Sequence, residues 1–192
     1  MPILPTVRDP RFITIRRGGT LTDEDHRLLA EWAALCAERV LPLFEREQPG
    51  DSRPRDAIEL GRAWIRGEVP MKEAHQRAFV ANAAGKGLPD PAKFAALAAG
   101  QAVAVAHVAA HELGAAAYAI RAVAAGATRP ETPGDAPAAH GGGVGTDSAG
   151  ETDAARLAER DWQRSQLPAQ IRELVLDDQR LRSPICWNVF DD

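Results

Sequence analysis

The feature that most limits the fold of this chain is a long run of small residues in its second half. Alanine fills about half of the positions between residues 91 and 125, and no proline follows Pro91 within that run. Alanine has the best helix propensity, and its small side chain lets neighbouring helices approach closely. The sequence therefore predicts one continuous helix over residues 91–125, placed at the centre of an all-α bundle.

The remaining segments show the one-sided apolar spacing of amphipathic helices. The first of them begins at Thr22, which can cap a helix N-terminus, and acidic residues fill the turn that follows. Ahead of it, Phe12, Ile13 and Ile15 form a run typical of a short strand or an extended arm. We predict an all-α bundle of about five or six helices with a short extended N-terminal arm. The first, second and fifth helices should pack on the alanine-rich one. The predicted helices cover residues 22–47, 51–66, 71–85 and 91–125, and two more begin near residues 152 and 168.

Residues 126–152 differ in composition from the helical segments around them. They are rich in glycine, proline, alanine and threonine and contain almost no large apolar side chain. Such a segment cannot bury enough apolar surface to offset the entropy lost on ordering. We predict a single helical domain over residues 1–192, in which residues 126–152 form a flexible insertion.

Composition and charge exclude several classes of protein. Lys and Arg number 23 against 27 Asp and Glu, so the net charge is −4 and no basic surplus is present for binding nucleic acid. The N-terminal residues lack a charged lead followed by an apolar run, and no stretch reaches the roughly 20 apolar residues of a membrane helix. We therefore expect a cytoplasmic protein without membrane or nucleic-acid partners, in which Cys36 and Cys186 stay reduced.

The motif HVAAHE lies within the alanine-rich run and has some features of a metal site. His107 and His111 are four residues apart, so on a helix both could reach one ion. The zinc-peptidase pattern H-E-x-x-H, however, places glutamate directly after the first histidine, where this chain has Val108. Glu112 follows the second histidine instead, and no third ligand can be identified. We therefore predict no metal or other cofactor, and favour histidines that hydrogen-bond between helices.

A helical projection of the same run groups its polar residues. At about 100° per residue, His107, His111, Tyr118 and Arg121 fall on one face. Glu112 falls among larger apolar residues, where a carboxylate must be paired, be neutralised or reach water. A histidine can act as a general base near neutral pH, and an arginine can hold an anionic substrate. The candidate ligand-binding residues are His107, His111, Tyr118, Arg121 and Trp64, and the candidate catalytic residues are His107, His111 and Glu112.

Five segments of the chain carry a family resemblance. They are DPRFITIRRGG, HRLLAEWAALCAERVLPLFE, RPRDAIELGRAWIRGE, AAGQAVAVAHVAAHELGAAAYAIRAV and LPAQIRELVLDDQRLRSPICWNVF. Together they resemble a family of bacterial immunity proteins, which are antidotes encoded beside polymorphic toxins. The resemblance implies an all-helical, small cytosolic protein that binds a partner toxin and blocks it. It supplies no catalytic residues to carry over to this chain.

Two functions of different classes are consistent with these features. The first is an immunity protein for self-resistance that binds a toxin without catalysis, and the acidic balance suits a basic toxin domain such as a nuclease. The second is a small helical enzyme, or a small-molecule-binding protein of resistance or biosynthesis, with a pocket lined by His107, His111, Tyr118 and Arg121. A deep pocket on which the histidines converge favours the second function. A closed core with an acidic exposed face favours the first.

Overall fold

A computed structural model describes residues 3–128 and 148–192 of the chain. This part is helical and contains no β-strand, only an isolated bridge between Thr14 and Leu21. The predicted all-α class is therefore confirmed, although seven helices are present in these residues where five or six were predicted. None of these helices combines the length and the apolar character needed to cross a membrane. They are α1 Asp23–Glu47, α2 Arg53–Ile65, α3 Met71–Ala84, α4 Asp90–Ala104, α5 Glu112–Ala127, α6 Ser148–Ser165 and α7 Ala169–Arg182.

Helix α1 begins where the sequence predicts. The Thr22 hydroxyl accepts a hydrogen bond from the backbone N–H of Asp25 at 3.0 Å, which satisfies one of the free donors of the first turn. Further along, the fully buried Trp32 donates from its indole N–H to the carbonyl of Gln163 at 2.8 Å. This bond joins α1 to α6, so the large ring both fills the core and fixes the position of a distant helix.

The predicted continuous helix over residues 91–125 is wrong, because the chain breaks between α4 and α5. Val108 is extended, with φ −139° and ψ 112°, and a short 3-10 turn follows at Ala109–His111. Two side chains that are distant in sequence form hydrogen bonds with backbone carbonyls that the break leaves without a helical partner. His26 donates to the Val105 carbonyl at 2.7 Å, and Arg182 donates to the Ala110 carbonyl at 3.0 Å. These long-range donors stabilise a break that contains no glycine or proline.

The two halves of the alanine-rich run form an antiparallel hairpin in the core. Gln101 lies against Gly114, while Phe94, earlier in α4, stacks with Tyr118, later in α5. Both helices pack on α1, with α2 and α3 also against α4, and α6 against α5. The small side chains allow short separations between these helices. A Cβ on Gly100, for example, would lie only 3.1 Å from the Ala78 carbonyl oxygen of α3.

The N-terminal segment is more compact than the extended arm predicted from the sequence. It forms two 3-10 turns, Pro10–Phe12 and Ile15–Arg17, and the second ends at Gly18 with a left-handed φ of 84°. Phe12 is buried in the core, and the backbone of the segment folds back so that Ile13 accepts from Leu21. The segment therefore packs as part of the bundle.

The C-terminal residues dock on the bundle through α6. Arg164 donates to the Phe190 carbonyl at 2.9 Å, and Arg160 donates to the Asp191 carbonyl at 2.6 Å. The tail turns at Trp187 and Asn188, both with positive φ, and buries Phe190. The two guanidinium groups thus donate hydrogen bonds to tail carbonyls that have no partner within a helix.

The predicted flexible insertion over residues 126–152 coincides only in part with residues that the structure describes. Helix α5 continues to Ala127 and helix α6 begins at Ser148, so both ends of that range are helical. Residues 129–147 lie outside the described residues, and the prediction of flexibility remains a prediction for them.

Two glycine substitutions should test the close packing of α3 on α4. Gly100→Ala should lower the free energy of unfolding by about 1–3 kcal/mol, because its Cβ would meet the Ala78 carbonyl and the Asn82 side chain. Gly126→Ala is the control, since a Cβ there meets nothing closer than Leu43 at 3.9 Å. That variant should be neutral or up to about 1 kcal/mol more stable. Urea unfolding followed by circular dichroism measures both, and equal effects would contradict the close approach.

Candidate functional site

A cavity of about 430 Å³ opens where the N-terminal segment crosses the turn after α4. Its size falls within the range of about 300–1,000 Å³ that is usual for ligand sites. Two of the predicted site residues, His107 and Trp64, line it. Two alanines line it together with Arg8, Phe12, Ile13, Thr14, Arg16, Arg17, His26, Trp64, Met71, His107 and Val108.

The charge of this cavity is positive and largely uncompensated. Arg16 pairs with Asp23 at 2.9 Å, but both groups are exposed. Arg8 and Arg17 are also exposed, and neither forms a side-chain hydrogen bond or ion pair with any residue that the structure describes. No aspartate or glutamate is among the lining residues in the described part of the chain. The cavity can therefore attract an anion without first breaking ion pairs of Arg8 or Arg17.

His26 forms part of the cavity wall and also supports the fold. Its Nε2 donates to the Val105 carbonyl, so a neutral ring carries its single proton there and leaves Nδ1 as an acceptor. The ring packs edge-on against Trp64, with the ring centroids 5.0 Å apart. Burial lowers the pKa of His26 below its ordinary value, so the ring is neutral at pH 7.

His107 lies between the cavity and the outer surface of α3. Its ring stacks on that of His75, with centroids 4.1 Å apart, and His75 in turn contacts the exposed Phe79. The Nδ1 atom of His107 is buried without a hydrogen-bond partner among the described residues. Burial lowers the pKa of His107, and electrostatic repulsion from His75, Arg17 and Arg8 lowers it further. The positive charge of the cavity therefore acts directly on this ring.

His111 has a structural partner and does not line the cavity wall that contains His107. Its Nδ1 is 2.7 Å from Oε1 of Gln101, a bond across the α4–α5 hairpin in which the ring donates. Burial lowers the pKa of His111 to about 4, so the ring is neutral at physiological pH. Within residues 3–128 and 148–192, no group of three or more histidine, cysteine or acidic side chains could hold a metal ion.

Glu112 belongs to a buried ionic group. It is fully buried at the start of α5, 3.3 Å from the guanidinium of Arg182, which also binds Asp178 through two hydrogen bonds of its Nε at 2.9 Å. Burial raises the pKa of Glu112 and the Asp178 carboxylate raises it further, against the effect of Arg182. One guanidinium cannot neutralise two buried carboxylates, so these surroundings favour the neutral form of Glu112. Its position is structural, at the α4–α5 break.

Tyr118 and Arg121 lie in a separate aromatic cluster. The guanidinium of Arg121 lies 4.0 Å from the ring centre of Phe94 and 4.1 Å from that of Trp187, an arrangement typical of cation–π contacts. Tyr118 contacts the same Trp187 ring, with centroids 5.3 Å apart. The structure therefore does not bring the four predicted pocket residues together, since His107 lines the cavity while Tyr118 and Arg121 hold the C-terminal tail.

The sequence missed the residues that give the site its charge. Arg8, Arg16 and Arg17 lie in a segment predicted as an extended arm, and nothing in their spacing links them to His107. It also missed Arg182, although a glutamate placed among apolar residues signals that some cationic or hydrogen-bonding partner must exist. Folding alone brings these distant positions together.

The fold and site define an all-helical protein with an alanine-rich core hairpin and a cationic cavity at the end of its bundle. The chain belongs to the family described as Imm-5 like putative immunity protein, whose model matches residues 19–170. The family resemblance of the sequence is thereby confirmed. No curated protein and no solved structure matches the chain. The matched region contains His26, Trp64 and His107, whereas Arg8, Arg16 and Arg17 precede it.

Removal of the buried guanidinium should be far more damaging than removal of an exposed one on the same helix. Arg182→Leu leaves the acidic groups of Asp178 and Glu112 buried without their cation, and should lower the free energy of unfolding by about 3–5 kcal/mol. Arg180→Leu is the matched control, because its pair with Asp177 is exposed and should contribute at most about 1 kcal/mol. Urea unfolding of both variants checks this, and similar losses would contradict the structural role of Arg182.

His111 should make stability depend on pH. Its folded-state pKa of about 4 lies below its ordinary value of 6.5, so the unfolded chain binds the proton more readily. The contribution is present above pH 6.5 and is lost as the pH falls towards 4, by up to about 3 kcal/mol. His111→Asn keeps a donor near the position of Nδ1 and removes the titration. The stability difference between the two proteins should therefore change across pH 6.5–4 in urea unfolding, and parallel curves would refute the assignment.

Proposed function

We propose that this protein binds a partner toxin and blocks it by covering part of its surface, without catalysing a reaction. The observation that carries the proposal is the match of residues 19–170 to an immunity protein family. The proposed place of action is the cytoplasm, where Cys36 and Cys186, both free and buried, would stay reduced. The net charge of −4 would attract a basic toxin domain, such as a nuclease, over long distances.

The surface around the cavity has the composition of a protein interface. Ile15 is 61% exposed and lies between two lining residues, and Phe79 is 64% exposed at the outer end of the His75–His107 ring stack. Arginine and aromatic side chains are enriched in interfaces and supply most of their binding energy. We propose that the cavity, Ile15 and Phe79 together form the toxin-binding face.

The positions of the candidate catalytic residues favour binding over chemistry. Glu112 is enclosed with Arg182, and the neutral ring of His111 is hydrogen-bonded to Gln101. Only His107 of the three lines the cavity. General acid–base catalysis requires groups within reach of the same substrate atoms, and these three groups are held in different surroundings.

The cavity also supports a second candidate function, a small-molecule-binding protein of resistance or biosynthesis. A volume of about 430 Å³ with an indole ring and a histidine in its wall could enclose a compound of modest size. The pocket of this function would consist of His107 and Trp64 with the arginines, rather than of the four residues predicted from the alanine-rich run.

A titration of toxin activity distinguishes inhibition by one-to-one binding from inactivation by catalysis. With the toxin encoded beside this gene, isothermal titration calorimetry should show one-to-one binding. Residual toxin activity should fall linearly and reach its minimum at an equimolar ratio, because each bound molecule covers one toxin. Inactivation of many toxin molecules by one molecule of this protein would instead indicate catalysis. Absence of measurable binding would contradict the proposal.

A further inference from the structure

We infer that the cationic cavity receives an acidic segment of the protein partner, whose carboxylates bind Arg8 and Arg17 while adjoining apolar atoms pack on Trp64. The inference rests on the proposed function in taking the toxin as the partner. It adds the chemistry of the contact, which family membership does not define.

The first support is that two arginines of the cavity lack an ion-pair partner among the described residues. Arginine forks bind carboxylates through two parallel hydrogen bonds, and such pairs are strongest where the cation has no competing partner. Arg8 and Arg17 have none among the described residues, whereas most of the other arginines of the described chain are engaged, as Arg62 is with Glu38 at 2.6 Å. Two free guanidinium groups on one concave surface are therefore available for an external anion.

The second support is the chemistry of the cavity floor. The Nδ1 atom of the neutral His26 ring can accept a hydrogen bond from a backbone N–H of a bound segment, and the ring of His107 adds an aromatic surface. The floor also contains the apolar side chains of Phe12, Trp64, Met71 and Val108. A charged group held at the arginine rim, followed by an apolar group on the floor, matches this arrangement.

The shape of the site favours a segment of protein chain over a small anion. A second hollow of about 240 Å³ adjoins the cavity and shares Arg16, His26, Trp64 and Met71 with it. The two form one groove that continues past Trp64 towards Gly67 and Pro70. A free phosphate would occupy a small part of this groove, whereas an extended segment could fill it. The exposed Ile15 and Phe79 beside the groove would then contact the body of the partner.

The groove is positively charged, whereas the whole protein has a negative net charge. Both charges can contribute to binding of the same partner. The net charge of −4 determines attraction at long range, which salt screens beyond about 10 Å. Contacts inside the groove depend on the groups actually present there. The charged groups are Arg8, Arg16, Arg17 and Arg27, with Asp23 as the one acidic residue among the described lining residues, paired with Arg16. A toxin with an overall basic surface could therefore approach this protein and still insert an acidic segment.

Charge reversal at the cavity provides the test, with the toxin encoded beside this gene as the probe. The double variant Arg8→Glu with Arg17→Glu should bind the toxin at least about 30-fold more weakly than the wild type in isothermal titration calorimetry. Both side chains are exposed, so the melting curve should not change. This loss of about 30-fold should shrink as salt is raised, since the attraction is screened.

A matched control changes the same number of charges elsewhere. Arg46 and Lys86 are exposed and form no side-chain ion pair with any residue that the structure describes. Arg46 lies about 30 Å along α1 from His26. Lys86 follows the end of α3 that is opposite Met71. The double variant Arg46→Glu with Lys86→Glu should bind within about threefold of the wild type, because it leaves the groove unchanged.

The outcomes separate this inference from the proposed function. No binding by the wild type would overturn the proposed function and this inference with it. If the wild type binds the toxin and the cavity variant binds it no more weakly than the control variant does, this inference alone is overturned. Inorganic pyrophosphate is the probe for a phosphate site: micromolar binding that is lost in the cavity variant while toxin binding persists would also overturn it. A charge swap provides the supporting result. The Arg17→Glu variant should regain affinity for a toxin in which an acidic residue has been changed to lysine.

Discussion

The break between α4 and α5 is the constraint on which the arrangement of this protein depends. Alanine-rich residues on both sides strongly favour helix, so the turn must be stabilised from outside the local sequence. His26 and Arg182 do this by donating to the carbonyls of Val105 and Ala110. Because the chain reverses there, α4 and α5 form a hairpin, and His107 is placed at the end of the bundle instead of inside it. The cavity exists as a consequence of that reversal.

The same reversal explains why a buried charge is tolerated in the core. Glu112 begins α5, next to the carbonyl that Arg182 binds, so one guanidinium serves both the backbone and the acidic groups. Desolvation of an unpaired ionic group would cost several kcal/mol, and the pairing of Asp178 with Arg182, together with the raised pKa of Glu112, lowers that cost. Arg182 also donates to the Ile3 carbonyl at 3.5 Å, so the group is better explained as a connection between α5, α7 and the N-terminal segment than as a catalytic centre.

Sequence reasoning predicted the parts of the fold that local signals determine. The cap at Thr22 and the extent of α1 follow from spacing and from side-chain chemistry near the helix end, and the structure confirms them. The break after α4 carries no such local signal, since its residues have neither glycine nor proline. The helical projection assumed an unbroken helix, and so it grouped His107 with Tyr118 and Arg121. Those residues belong to two different surfaces of the folded chain.

The origin of the site residues bears on the partner recognition that we propose for this member of the immunity protein family. The matched region, residues 19–170, supplies His26, Trp64 and His107, which are held by the helices and the hairpin. Arg16 and Arg17 come from the 3-10 turn Ile15–Arg17 that precedes it and Arg8 from the residues before the first turn, and their side chains are exposed. A rigid floor with a separately encoded charged rim allows the sign of the rim to change without disturbing the core, because exposed charges contribute little to stability. If the proposed toxin binding holds, its specificity can therefore change through the N-terminal segment while the helical bundle is retained.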